Sequence, residues 1–554
     1  MNDFERKLRE TPLRQPPVEW RDQILETLSA KKTGTDDPPA RCSSATSPQR
    51  WFGKTNSGRT RSKARPLLAF LLKPTSIFCM FITTVMTGGA ALFIGANSAG
   101  KTSWERYSDE ARARGVKMSL KELLPTPIPD AENFAEVPLI ANLFSEDEAV
   151  QKAASSVFEF PERGLVAHFG HVTRFGDATR CNLAALQADF VKSGDLPAAG
   201  PDPAADVLRA IEKRFGPALA ELAEAERRRG AVFPVKWELG FMAQLPHLSL
   251  IQSAAKTHAL RLSAHLAHRN AAEGYAEFRG LLRLYRALEK EPTLIDGLVR
   301  ISIMQLVFGG VWEGVVTSAW DSQTLQKIET DLFGINLLED ALFAFASERA
   351  GMNDVLESAR TGKSPLTGVE GGLESDPARE MLLRAVPKIP GWISLNQTAM
   401  NRFYDQFPGR IDVARARFID TGTTTAELEM IDRSIVKQHI YVLYRIMIPT
   451  IGTVEKRFLC AHTDLQMSAL ACTLQRYRLA EGQFPESLEA LVPKYIETLP
   501  HDVIGGQPLH YRRTGDGRFL LYSVGMDGKD DGGATGEKES ARDHLDWAWR
   551  WPAQ

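Results

Sequence analysis

Between residues 204 and 460 apolar positions recur at three- and four-residue steps with charges between them, the pattern of helices that each bury one face. The segment PAADVLRAIEKRFGPALAELAEAERRR, residues 203–229, shows it most plainly, and stretches near 250–268, 271–290, 294–318, 322–350, 380–404 and 425–450 repeat it. The run from Leu294 to Val316 is the most apolar of these. Asp296, Arg300, Gln305 and Glu313 would each be costly in hydrocarbon, so it reads as the central buried helix of a bundle and not as a membrane span.

A different pattern lies upstream. From Thr75 to Ala96 the chain runs 22 residues without a charge, and a helix needs about 20 apolar residues to cross a bilayer. It begins too far in for an ordinary cleaved signal peptide, so it reads as a single transmembrane helix. Arg59, Arg61, Lys63, Arg65 and Lys73 precede it, and Lys101, Arg106, Arg112 and Arg114 follow. Five cations against four favour an N-terminus in the cytoplasm and a C-terminal part outside it.

Around the span the expected organisation is as follows. Residues 1–30 form an amphipathic segment, broken by Pro12, Pro16 and Pro17, that suits docking of a cytoplasmic partner as well as it suits a loose tail. Residues 31–74 hold a basic linker rich in Ser, Thr, Pro and Gly, read as disordered. Residues 97–203 form a turn-rich stem, with prolines at 125, 127, 129 and 138 favouring extended backbone laid along a surface. Residues 204–453 are the helical domain and 454–554 a C-terminal module.

Composition narrows the chemistry. With 67 Lys+Arg against 69 Asp+Glu there is no global field for nucleic acid. The cysteines contain no C-x-x-C and no zinc-like spacing; Cys181, Cys460 and Cys472 could form a structural disulfide, which spacing alone does not decide. His168, His171, His258, His265 and His268 invite a metal reading. They lack H-E-x-x-H and have no carboxylate at ligand spacing, so they read as surface or core-edge residues. No G-x-S-x-G elbow is present, and Cys460 has His462 two residues on but no third group. The string GANSAGKT, Gly95 to Thr102, does match the phosphate-loop pattern at every fixed position. Such a loop needs a strand in a parallel sheet before it, and the preceding apolar run is far longer than a strand of about 5 or 6 residues. It reads instead as the exit of the membrane helix, with Lys101 and Trp104 as interfacial anchors.

Residues 464–533 combine helix and strand. Leu465, Ala469, Cys472, Leu474 and Tyr477 give a helix its apolar face, and Gly482 stands where a C-cap belongs. SLEALVP follows as a short helix, then PLHYRR and RFLLYSVG alternate as two strands across the turn TGDG. Trp547, Trp549 and Trp551 alternate like a last strand that covers the sheet or marks an interaction edge. This stretch resembles the globular domain of the major pseudopilin of bacterial type II secretion, through AL..YR...G.FP.SL.ALVP, LP.D..GG.PL.Y and YSVG.DG...GG. That domain lies outside the cytoplasm, which agrees with the orientation from charge. The family binds calcium in its final loop, and the resemblance carries this onto Ser523 and Asp527. Asp530 and Asp531 add nearby oxygens, Leu499 sits where a carbonyl can be supplied, and Asp543 is a further acidic candidate. The span of a true pseudopilin is continuous with its globular domain and follows a prepilin cleavage site; here the span lies hundreds of residues upstream.

The expected fold class is mainly α: a single transmembrane helix, a helical extracytoplasmic domain and a small α+β pseudopilin-like module. The expected function is a non-enzymatic, single-pass structural or interaction protein of the bacterial inner membrane, with a periplasmic domain associated with a secretion or envelope assembly. Its partners would be the lipid bilayer, envelope proteins through the C-terminal module and a cytoplasmic partner of residues 1–30, with no nucleic acid. The alternatives are a transmembrane signal relay and a nucleotide hydrolase using GANSAGKT.

Overall fold

A computed structural model describes residues 94–95, 97–160, 179–362, 390–420, 430–431, 433–434, 437, 441–535 and 545–552. The N-terminal segment, the linker, nearly all of the apolar run 75–96, His168, His171 and Asp543 lie outside the described residues.

The described part is mainly helical, and several of its helices start where a side chain satisfies free N–H groups of the first turn, among them those capped by Asp147, Asn182, Asp202, Asn270 and Thr293. Helix α1 covers residues 97–113, α2 Glu148–Ser155 and α3 Leu183–Lys192. Asp202 caps α4 (Pro203–Glu226), which buries Val207, Ile211, Phe215 and Leu222 along one stripe. Then come α5 (Pro246–Ala267), α6 (Ala271–Ala287, capped by Asn270) and α7 (Leu294–Val316, capped by Thr293). The single helix expected over 322–350 is in fact two, α8 (Ser322–Phe333) and α9 (Leu337–Arg360). Gly334 ends the first, and Asn336 caps the second by accepting from the Leu338 N–H. Helix α10 spans Pro390–Tyr404 and α11 the 40 residues Val442–Glu481, about 60 Å at the α-helical rise.

Helix α7 is the centre, packed by α5, α6, α9 and α11. It is the only helix among the described residues long and apolar enough to cross a bilayer, and 67% of its most apolar window is buried by protein. The polar groups along it are answered by neighbours. Arg300 pairs with Asp340 of α9 at 2.8 Å and lies over the Tyr285 ring, Glu313 accepts from Ser263 of α5 at 2.7 Å, and Gln305 faces Asp464 of α11 at 3.4 Å. Asp296 alone of the four is left with an unpartnered oxygen.

The C-terminal sheet is a three-stranded antiparallel meander, β3 (His510–Arg513), β4 (Phe519–Ser523) and β5 (Trp547–Trp549), after a two-residue hairpin β1 (Ile411–Asp412) and β2 (Arg417–Phe418). The expected TGDG turn joins β3 to β4 in the register His510↔Tyr522, and the tryptophan strand pairs with β4 as Ser523↔Trp547. Helix α11 ends on Gly482 in the left-handed conformation, φ 81°, as the C-cap reading requires. It starts 22 residues before Asp464, however, so the boundary expected at 453/454 falls inside it. One helix therefore serves both the helical body and the module. Three further ties join them: Trp312 Nε1 donates to the Arg550 carbonyl at 2.6 Å, Phe418 N–H to the Val503 carbonyl at 2.7 Å, and Arg476 pairs with Glu329 at 2.8 Å. The stretch 118–142, expected as extended backbone, instead forms short helical turns at 120–122, 130–132, 134–136 and 138–141 that bury Leu120, Phe134 and Ile140; Arg228 holds it by donating to the Asp130 and Asn133 carbonyls.

Candidate functional site

The phosphate-loop string is not a loop. Gly95 and Asn97–Thr102 are helical, and the nitrogens of a helix interior are consumed by its own carbonyls, which leaves no cradle for phosphate. Its second glycine serves packing instead. Gly100 and Gly391 touch backbone to backbone where α1 crosses the start of α10, and a Cβ on either would fall inside the other strand of main chain. Asn97 Oδ1 accepts from the Gly391 N–H at 2.6 Å. Trp104, expected as a lipid-interface anchor, is buried at 9% exposure beside Tyr107, Ala111 and Met118. Helical periodicity places it on the face that α1 turns toward the body.

The four loop residues assigned to calcium are each used by the protein. Ser523 is fully buried at the end of β4, and its Oγ accepts from the Gly525 N–H at 3.2 Å. Asp527 accepts from the Lys529 N–H at 3.1 Å and faces the Lys529 ammonium at 3.4 Å. Asp530 takes the Tyr522 hydroxyl and the Gly532 N–H, each at 2.9 Å, with His510 at 3.4 Å. These bonds hold its carboxyl below the usual range, the Gly532 N–H most of all. Asp531 contributes its N–H, which goes to Asp546 at 3.0 Å, as does that of Gly533 at 2.7 Å. Asp546 is the buried acid that organises this loop; Asp543, the further acidic candidate raised beside the resemblance, lies outside the described residues. No three of Asp527, Asp530, Asp531 and Asp546 bring carboxylate oxygens within 4.8 Å of one another. The carboxylates of this loop are spread along it and bonded mainly to its own backbone and to neighbouring side chains.

Of the histidines singled out from the sequence, His258 on α5 and His268 just beyond its end are ion-paired. His258 Nδ1 lies 2.7 Å from Glu277 of α6 and its Nε2 3.1 Å from Glu226 of α4, while Arg261 donates to Glu277 at 2.6 Å. Burial pulls the imidazole down, but the two carboxylates outweigh it and push His258 up to about 9. Gly280 leaves the space the ring occupies. With both nitrogens protonated, His258 has no lone pair for a metal. His268 pairs with Asp202 at 2.9 Å. His462 follows Cys460 by two residues on α11, so helix geometry turns the two side chains apart; His462 meets Gln466 at 3.3 Å. Cys181, Cys460 and Cys472 form no disulfide with one another.

A third group was not anticipated. His247, at the second position of α5, meets Glu291 in the α6–α7 turn and Asp296 in the first turn of α7. All three are at most 2% exposed. Phe233 stacks on the imidazole at 4.1 Å, with Phe144 at 5.7 Å. Thr293 caps α7 and donates its hydroxyl to Asp296, which occupies one carboxylate oxygen; the Phe233 N–H serves Glu291. Both nitrogens of His247, Oε2 of Glu291 and Oδ1 of Asp296 have no hydrogen-bond partner. Burial pushes Glu291 up to about 8, assisted by Asp296, pushes Asp296 up to about 7 and pulls His247 down to about 3. The signal in the sequence was T-L-I-D, a capping-box pattern that places Asp296; nothing local ties it to His247, 49 positions upstream.

No protein-family model, no curated protein and no solved structure matches the chain.

Proposed function

We propose that this chain is a single-pass structural or interaction protein of the bacterial inner membrane, whose extracytoplasmic helical body carries a pseudopilin-like α+β module into a secretion or envelope assembly. The supporting observation is α11: one 40-residue helix forms part of the helical core and also the helix on which the β3–β4–β5 sheet rests. A module built on a shared helix is held rigidly by the body. Load or position can then pass between body and module without a hinge, which suits a scaffold. The residues of the 526–532 loop are largely exposed or half-buried, leaving that end of the sheet accessible to a partner.

Reporters fused after residues 60 and 130 test the reading. Cytoplasmic signal at 60 and extracytoplasmic signal at 130 support it. Cytoplasmic signal at both removes the anchor, the compartment and the role together. A cross-linker placed at exposed Lys529 then distinguishes the module as a contact surface: adducts with secretion or envelope components are expected, and their absence in intact cells removes the assembly part of the proposal.

A further inference from the structure

The group formed by His247, Glu291 and Asp296 has the wrong chemistry for a packed core and the right chemistry for an ion. Burying an ionisable group without a partner is costly, and native interiors ordinarily pair such groups. Here four polar atoms from three side chains converge with no partner, inside walls that include Phe144 and Phe233. Several other buried acids of the core have a cation beside them: Glu277 has His258 and Arg261, Glu329 has Arg476 and Glu455 has Arg410.

We propose that His247, Glu291 and Asp296 form a buried site for a first-row divalent cation, zinc being the best fit, that clamps the start of α5 to the start of α7. The ligands are His247 Nε2, Glu291 Oε2 and Asp296 Oδ1. One nitrogen and two oxygens are a mixed donor set: the imidazole disfavours magnesium and calcium, and the lack of thiolate disfavours copper(I). His247 Nε2 lies 3.9 Å from the nearer Asp296 oxygen, and a donor atom from each residue falls within 4.8 Å of the others. Two donors on one tetrahedral ion at ordinary bond lengths sit about 3.4 Å apart, so a small inward shift of each side chain closes the site. A neutral imidazole and two carboxylates balance a doubly charged ion, leaving a buried group without net charge. The carboxylate oxygens facing away from the ion are already held, Asp296 by Thr293 and Glu291 by the Phe233 N–H, which orients both ligands in advance. A fourth position remains for water. The site does not depend on the membrane reading.

Metal content and thermal unfolding of the purified full chain test this directly. The wild-type protein is expected to hold one zinc-class ion per chain, to melt lower after chelation and to recover when zinc alone is returned. X-ray absorption of the zinc-loaded protein should show a single imidazole among oxygen donors. His247→Phe keeps a ring in the aromatic stack and removes only the donor nitrogens. It should fold, contain no stoichiometric ion and bind zinc at least about tenfold more weakly. Glu291→Gln keeps an acceptor for Phe233 and should show the same loss if His247→Phe does not fold. A wild-type chain that holds no such ion and does not respond to zinc overturns the site. So does a His247→Phe variant whose metal content and zinc response match the wild type.

Discussion

Helix α5 carries two buried histidines eleven residues apart, and their surroundings are completed in opposite ways. His258 is met on both ring nitrogens by carboxylates, with Arg261 sharing Glu277, so charge is balanced inside the protein. His247 is also buried and also has two acids nearby, yet no nitrogen of it is bonded. The difference is a proton. Around His258 the acids approach to hydrogen-bond distance and fix a cation in place. Around His247 they stop at 3.9 Å or beyond, a spacing that suits a shared ion better than a shared proton. The same residue types thus build an electrostatic clamp at one end of a helix and a ligand set at the other.

The comparison is broken most severely by removing one member of the completed cluster. Glu277→Leu leaves His258 and Arg261 without their common partner and should cost about 3–5 kcal/mol by calorimetry. A loss below about 1 kcal/mol would mean that His258 is not charged in the folded chain. The second effect is on pH. His258 has a folded pKa raised to about 9 from its ordinary value, so its contribution is complete below about pH 6.5 and is lost as pH rises through about 9. Over that window stability should fall by up to about 1.4 kcal/mol per pH unit, and His258→Gln should flatten the slope. An equal slope in the variant assigns the dependence elsewhere.

A smaller effect is expected where no charge is involved. Trp312→Phe removes the indole bond to the Arg550 carbonyl and should cost about 1 kcal/mol; if unfolding then splits into two transitions, the body and the module are less firmly joined than α11 implies. The smallest change belongs to the open group. In chelator-treated protein Glu291→Gln should alter stability by less than about 0.5 kcal/mol, because no ion pair is lost there. A loss as large as that of Glu277→Leu would show that His247 is paired after all, and would erase the contrast.

Much of the architecture was legible from local pattern. The stripe of α4, the Gly482 cap, the TGDG hairpin and the tryptophan strand each follow from a few neighbouring residues, and each is in place. The split between α8 and α9 was missed because the apolar period continues across Gly334 without a break. The start of α11 was missed for the opposite reason: the resemblance that located the module begins at its own helix face and says nothing about an upstream extension. Of the sites, Asp527 came from the resemblance and Asp530 and Asp531 from their nearness in sequence, but neither tells whether carboxylates face one point or the backbone of their own turn, as those of Asp527 and Asp530 do here.

What the sequence determined by itself is the mainly helical class, the caps and turns, and the presence of polar residues along α7 that need partners. Those are local facts, set by periods of two and 3.6 residues and by single-residue backbone preferences. What only the tertiary structure decided is which partner each polar residue receives. Arg300 meets Asp340 and His258 meets Glu226 and Glu277, whereas Asp296 meets an unbonded His247 and Gly100 meets Gly391 in a helix crossing. Separations of tens to hundreds of residues carry no period, so those pairings arise only when the helices pack.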